Sequence, residues 1–297
     1  GLAEESEQLT PKGRTKVMVA LPVNAGAGQG GFSRLTRIPA ANITAAAEAF
    51  PGDGCGASNL LDGNLRTEFA SNGKGANTFV EFDFGAPVRI GGFRHQDRND
   101  VALIAVSELI FSDVAGKQLK KMQVTHVNQR SGITFFALPE PVVAQRVRWS
   151  VAKLGSSHEC VGGAEIAFFS AGAPESEPYR IGIEARTMQV LERKNGLLMQ
   201  SLKLMLYYPY AEPARALLRV EGQEPRPLEL SFGCHAVDCT VAAAKKDRAL
   251  NVAVEIGGRT AAARAVTLKP VREWIVYILM HSHVDIGYTD VQTRIAE

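Results

Sequence analysis

Asn59-Leu60-Leu61-Asp62-Gly63-Asn64-Leu65-Arg66-Thr67-Glu68-Phe69-Ala70-Ser71, followed by Phe79-Val80-Glu81-Phe82-Asp83-Phe84, is the stretch from which the fold is read. In its second part Val80, Phe82 and Phe84 alternate with Phe79, Glu81 and Asp83. That period of two sends successive side chains to opposite faces of a strand. In its first part Asp62, Asn64 and Thr67 offer hard oxygens within six residues, and Gly63 permits a sharp backbone turn. Calcium takes about six to eight such oxygens. The spacing is not that of an EF-hand, because Gly63 is misplaced and Gly73 stands where the twelfth position needs Glu. The competing reading of the same residues is an Asx-type turn without an ion.

The same alternation recurs downstream, where Val147, Trp149 and Val151 interleave with Arg146, Arg148 and Ser150. Helical signals are scarce, and the run Ala45 to Phe50 is too short to count. Residues 32–172 therefore read as a β-sandwich or related barrel. With its Gly-Ala-Pro turn after Phe84 and Gly163-Ala164-Glu165-Ile166 near the end, this region resembles the discoidin, or coagulation factor 5/8 type C, domain that also serves as carbohydrate-binding module family 32. Phe69 stands where that family often has Trp, a departure in size rather than kind. The resemblance implies a calcium set of Asp62, Asn64, Thr67 and Glu165 with the backbone carbonyls of Asn59 and Ala164, tying the start of the domain to its end. It also implies a glycan as partner. Arg94-His95-Gln96-Asp97-Arg98-Asn99-Asp100 follows a strand and is dense in groups that bond hydroxyls. Arg98 and Asn99 match best the family's ligand-binding pair, His95 less well, and Arg66 and Glu68 could line the same rim. An ordinary solvated loop is the alternative.

After Pro174-Glu175-Ser176-Glu177-Pro178, which reads as a linker, Leu202, Leu204 and Leu206 alternate with Lys203, Met205 and Tyr207. Leu250, Val252, Val254 and Ile256 do likewise, and Gly257-Gly258 then makes a turn into a returning strand, Ala263 to Leu268. Residues 179–269 read as a small immunoglobulin-like β-sandwich acting as a spacer. His235 and Asp238, between Cys234 and Cys239, could ligate a metal, but a stapled or polar turn between strands is the preferred reading.

The apolar run Trp274 to Met280 leads directly into His281-Ser282-His283-Val284-Asp285-Ile286-Gly287-Tyr288-Thr289. In an extended chain His281, His283 and Asp285 share one face. This string resembles the first barrel strand of glycoside hydrolase family 38, the zinc-dependent α-mannosidases. The resemblance makes His283 and Asp285 zinc ligands with His281 in support, and residues 270–297 the opening of a truncated catalytic α/β barrel. Imidazole nitrogen and carboxylate oxygen bind zinc at about 2.0 to 2.2 Å, so the pair is chemically competent. It further implies retaining hydrolysis of α-mannosides by a parent enzyme whose nucleophile is expected beyond residue 297, the chain alone being inactive. The contrasting expectation is a non-catalytic carbohydrate-binding or adhesion module with a spacer.

At 297 residues the chain has room for about two domains, with 45% hydrophobic and 22% charged residues. A net charge of +2 spread along the chain gives no reason to expect nucleic acid, and no apolar run suits a membrane span. Gly1 has no apolar signal segment ahead of it, so a processed or cut piece of a longer protein is expected. Gly26-Ala27-Gly28-Gln29-Gly30-Gly31 matches a dinucleotide fingerprint literally, but no helix follows, and residues 1–31 read as a terminal segment with a glycine linker. Cys55, Cys160, Cys234 and Cys239 could form two disulfides, fitting an exported protein, or remain thiols. The fold class expected is thus mainly β: a discoidin-like sandwich, a second sandwich and the first strand of a barrel.

Overall fold

The computed structural model describes residues 3–10, 13–20, 32–39, 42–52, 54–64, 66–174 and 177–272. Among them the regular structure is all strand apart from two short 3-10 turns, Ala57–Leu60 and Gly75–Asn77. The strands are β1 (Ala3–Thr10), β2 (Gly13–Ala20), β3 (Phe32–Arg37), β4 (Asn42–Ala46), β5 (Phe69–Ala70) and β6 (Phe79–Gln96). Then come β7 (Ile104–Ser112), β8 (Gln118–Thr125), β9 (Ile133–Leu154), β10 (Gly162–Gly163) and β11 (Glu165–Pro174). A second group holds β12 (Gly182–Lys194), β13 (Leu197–Tyr208), β14 (Ala214–Val220), β15 (Arg226–Leu230), β16 (Gly233–Ala242), β17 (Arg248–Ile256) and β18 (Arg259–Leu268). No helix among the described residues is long and apolar enough to cross a membrane.

The first group is organised by two long strands, β6 with 18 residues and β9 with 22. They pair antiparallel from Phe79↔Ser150 to Gln96↔Ile133, with register shifts between Asp83 and Val88 and between Ile90 and Gly92. The Gly-Ala-Pro segment expected to end the strand only bends it. Gly85, at φ 75°, supplies the left-handed residue, its N–H bonded to Asp83 Oδ1 at 2.8 Å. The bend lets β6 serve two neighbours, β4 along its first part and β11 along its second. β9 likewise pairs with β7, and β7 with β8. The sheet so folded encloses Val80, Phe82, Phe93, Leu109, Phe111, Val147 and Trp149, all with no exposed surface. Phe168 meets the rings of Phe82, Phe84 and Phe93 at 5.2, 5.4 and 5.5 Å. Each such side chain contributes about 1.5–3 kcal/mol through burial. The alternation read from Val80 and Val147 onward is borne out in these burials.

The second group packs two antiparallel sheets, β12-β13-β16 and β15-β14-β17-β18, over a core of Leu202, Leu204, Leu206, Leu250, Val252 and Val254. Gly257 and Gly258, at φ 58° and 75°, make the two-residue hairpin between β17 and β18 that the sequence predicts. In an immunoglobulin constant-type sandwich the fourth strand joins the sheet of the first, second and fifth. Here the fourth, β15, pairs instead with β14 in the other sheet.

The two sandwiches touch along β3. Arg37 N–H donates to Pro209 C=O at 2.8 Å, Ala211 N–H to Leu35 C=O at 3.0 Å, and Thr36 bridges Tyr210. Phe232 meets Phe169 at 5.0 Å and lies under the guanidinium groups of Arg94 and Arg37, at 5.0 and 5.6 Å. Gly92 keeps this seam tight, since a Cβ there would meet Phe135 Cζ at 3.0 Å and Leu35 Cδ1 at 3.1 Å.

All four cysteines are free thiols in this structure, not the two disulfides considered. Cys234 and Cys239 lie on one strand, β16, rather than in a turn. Five positions along an extended strand is an odd step of roughly 16 Å, so the two thiols face opposite ways and cannot bridge each other. The glycine run 26–31, the linker residues Glu175 and Ser176, and the string containing His281, His283 and Asp285 lie outside the described residues.

Candidate functional site at the loop end of the first sandwich

The loop between β4 and β5 carries the expected calcium residues, and β10 with the start of β11 closes over it. Asp62 accepts the Asn64 N–H at 2.7 Å on Oδ1 and the Thr67 hydroxyl at 2.6 Å on Oδ2. Thr67 Oγ1 also lies 2.8 Å from the Asn64 carbonyl. Gly63, at φ 69°, directs its N–H to Glu165 Oε2 at 3.1 Å, which joins the beginning of the domain to its end. The Asn59 side-chain amide donates to the carbonyls of Gly54 and Glu68, at 2.6 and 3.0 Å, holding the loop closed. Ala164 N–H bonds Gln96 C=O at 2.8 Å. The structure thus links Asp62, Asn64 and Thr67 in an Asx-type turn and ties Glu165 to it through the Gly63 N–H.

Glu165 is buried, and burial pushes its carboxyl up to about 7; Arg37 and Arg94 oppose that rise, and Asp62 adds to it. Arg37 Nη2 lies 3.3 Å from Glu165 Oε1. Arg94, in turn, is held down to about 10 by burial, with Glu165 acting against this and Arg37 with it. Asp62 thus lies near enough to Glu165 to disfavour its ionised form, an effect smaller than the opposing pull of Arg37 and Arg94.

The residues expected to meet a glycan are placed differently from the sequence reading. Arg94, His95 and Gln96 are not in a solvated loop; β6 runs through Gln96, pairing with β9 on one side and β11 on the other. The strand is covered on both faces, so Ile90 to Arg98 is buried without interruption. His95 has no exposed surface: its ring stacks on Trp149 at 5.3 Å, its Nε2 is 3.0 Å from the Gly162 carbonyl, and it cannot contact a glycan. Gly163 is required beside it, because a Cβ there would come within 2.6 Å of His95 Nε2. Arg98 is 7% exposed, and its two Nη groups are engaged within the protein, on Glu68 Oε1 at 2.7 Å, the Cys160 carbonyl at 2.5 Å and Asp100 Oδ2 at 3.4 Å. It fastens the 54–68 loop to the segment before β10. Asn99 is half-buried and Arg66 exposed, so these two remain available on the rim.

Sequence reasoning missed a polar cluster inside the sandwich. His95 on β6, Asp97 just after it and His126 just after β8 are all buried, with ligating atoms within 4.8 Å of one another. His126 Nε2 lies 2.7 Å from the Ser107 hydroxyl on β7, and its ring meets that of His95 edge-on at 4.7 Å. Burial holds the His95 imidazole down to about 4 and His126 well below its ordinary range, and lifts Asp97 well above its own. The Ile104 N–H tempers the rise at Asp97, but neither carboxylate oxygen has a hydrogen bond of ordinary geometry. Only strand pairing reveals the cluster, since His126 lies 31 positions from His95.

Residues 42–166 match the family model described as F5/8 type C domain. No curated protein sequence matches the chain. Among solved structures, the chain is similar to the chitosan-binding module 1 derived from a chitosanase/glucanase of Paenibacillus sp. IK-5, at 19% identity, 46% of this chain, 99% of that one and a TM-score of 0.37. The CBM32 of AlyQ, in complex with 4,5-unsaturated mannuronic acid, aligns at 23% identity over 44% of this chain and 97% of its own, TM-score 0.34. Discoidin II from Dictyostelium discoideum aligns at 11% over 73% and 94%, TM-score 0.37.

Replacing Arg98 tests the fastening role. Arg98→Ala leaves the Glu68 carboxylate and the Cys160 carbonyl without their donor and should destabilise the folded protein by about 1–3 kcal/mol. Urea unfolding is the check, and wild-type stability in the variant would return Arg98 to the role of a free rim residue.

Proposed function

We propose, from the premise that residues 42–166 are an F5/8 type C domain, that this domain binds a glycan at its loop end and that calcium holds that end in shape. The family match over this region is the observation that carries the glycan reading. Asn99 and Arg66 supply polar groups at the rim, while Glu68, Arg98 and Asp100 form the ion-paired base beneath them. Pairing fixes those long side chains, which lowers the cost of ordering the rim when a sugar binds.

Calcium fits the donor set found. Asp62 and Glu165 would supply carboxylates, Thr67 its hydroxyl, and Asn64, Asn59 and Ala164 carbonyl oxygens, all hard donors of the kind calcium selects, once the ion displaced the hydrogen bonds that now join Asp62, Thr67 and Glu165 to the loop. The ion would neutralise two neighbouring carboxylates and join the first loop of the domain to its last strand. The glycan contacts themselves would be made by side chains of the rim.

We further propose that the same polypeptide belongs to a zinc-dependent α-mannosidase-like enzyme. This rests on the string His281-Ser282-His283-Val284-Asp285-Ile286-Gly287 after the apolar run Trp274 to Met280. In that reading the second sandwich, with an immunoglobulin-like architecture altered in the place of β15, is a spacer rigidly joined to the glycan module, and the protein is exported. A non-catalytic adhesion protein is the second reading, supported by the binding module itself.

Two experiments test the binding proposals. Labelled protein on a glycan array should bind at least one glycan, and Asn99→Ala or Arg66→Ala should weaken that binding tenfold or so without changing the melting temperature, about 1.4 kcal/mol of affinity. An array without any ligand would remove the glycan reading. Added calcium should raise the melting temperature of the wild type relative to chelator, and Asp62→Ala should abolish the difference; equal melting with and without chelator in the wild type would remove the ion. The enzyme reading is checked with an aryl α-mannoside and the product of the complete reading frame. Turnover lost in chelator and in His283→Ala supports it, and zinc-independent activity or none contradicts it.

A further inference from the structure

The interior of the first sandwich holds a defect that the glycan reading leaves unexplained. His95 Nδ1, His126 Nδ1 and both carboxylate oxygens of Asp97 are buried side-chain atoms without a hydrogen-bond partner of ordinary geometry, although the Ile104 N–H lies near enough to Asp97 to favour its ionised form. The three residues are 0%, 6% and 1% exposed in the order His95, His126, Asp97. Leaving one such group unmet costs about 1–3 kcal/mol, so several together in one core need a compensating partner.

Their arrangement says what the partner is. Each imidazole engages the protein through Nε2: His95 at the Gly162 carbonyl, 3.0 Å away, and His126 at the Ser107 hydroxyl, 2.7 Å away. The carbonyl can only accept, so His95 carries its proton on Nε2 and presents a lone pair at Nδ1. Metal-bound histidines are typically set in this way, one nitrogen bonded to an oxygen that fixes the tautomer and the other free to ligate. His95 Nδ1 lies 3.8 Å from Asp97 Oδ1, and one nitrogen of each imidazole and one Asp97 oxygen lie within 4.8 Å of one another. Bonds of about 2.0–2.2 Å to a tetrahedral ion place donors roughly 3.4 Å apart, so only a small contraction is needed.

We propose that His95, Asp97 and His126 bind one first-row divalent metal ion of the zinc class inside the first sandwich. Two imidazole nitrogens and one carboxylate suit zinc, cobalt or iron and are a poor match for calcium, which prefers oxygen throughout. A water molecule completes the fourth position. The site is structural in consequence: His95 comes from β6 and His126 follows β8, with β9 and β7 between them in the sheet, and Trp149 of β9 stacks on His95, so the ion ties together strands that do not pair directly. It is independent of the glycan, of calcium and of the string at His283.

The test uses the full chain, stripped with chelator, desalted and loaded with zinc or cobalt. His283→Ala serves as the background, breaking the other candidate zinc pair, His283 with Asp285. In that background one equivalent of zinc should survive gel filtration, and cobalt should give visible ligand-field bands. Zinc should raise the melting temperature, and X-ray absorption should show two imidazoles at the metal. Adding Asp97→Asn, which preserves side-chain volume, or His126→Gln should remove the equivalent and the bands while circular dichroism in chelator stays unchanged. Adding Asp62→Ala should leave both in place. Absence of metal from the His283→Ala protein, retention of the full equivalent in folded Asp97→Asn, or an absorption spectrum without imidazole would overturn the proposal and leave the cluster as a water-filled pocket.

Discussion

The antiparallel pairing of β6 with β9 is the interaction on which the rest of the structure depends. Both strands are long enough to belong to two environments, and the register shifts after Asp83 and Ile90 divide them. Before the shifts the pair behaves as an ordinary half-buried sheet, with Val80, Phe82, Val147 and Trp149 inward. On the outer face Arg146 pairs with Asp83 at 2.8 Å, and such surface pairs are worth about 0–1 kcal/mol. After the shifts β6 is enclosed on both faces. Phe93 and His95 enter the core of the first sandwich, and Gly92 and Arg94 face the seam with the second. One strand thereby builds the core, the contact between sandwiches and the floor of the loop end.

That double enclosure explains why the sequence is legible in some places and misleading in others. Alternation at Phe79–Phe84, Arg146–Val151, Leu202–Leu206 and Leu250–Ile256 identifies strands correctly, because each has one core face and one wetter face. The rule weakens where both faces are covered. Arg94-His95-Gln96-Asp97-Arg98 has the composition of a solvated loop, and its burial follows from pairing with β9 and β11, partners far away in the chain. The bend at Gly85 reads as a stop because a turn and a bulge call for the same residues. Cys234 and Cys239 resemble a stapled turn only because the span of β16 is not evident from local pattern.

The turn at Asp62 is legible for the opposite reason. Asp62, Asn64 and Thr67 form a short-range arrangement, so spacing alone could bring their polar groups together, and only Glu165 required the closure of the fold. The interior cluster has no such local signature. His95 and Asp97 form a His-x-Asp pair, but nothing in the sequence ties it to His126 until β8, β7, β9 and β6 are set side by side. The seam has a related character: Phe232, inconspicuous in the sequence, meets Phe169 edge-on and lies against the guanidinium groups of Arg94 and Arg37. The buried Arg94, the partly buried Arg37 and Glu165 thus link the loop at Asp62 and Gly63 to the second sandwich through charge as well as packing.

Whether β6 carries its polar residues into the interior decides the site, the seam and the cluster together. Site-resolved NMR of the imidazoles, followed through about pH 5 to 8, reads this directly. With both rings buried, His95 held down to about 4 and His126 well below its ordinary range, the two should keep constant chemical shifts across the interval. A His95 ring that titrates near the ordinary value of about 6.5 would place it in solvent at the rim, and β6 could not then run in the register that pairs His95 with Thr134 and Ile166.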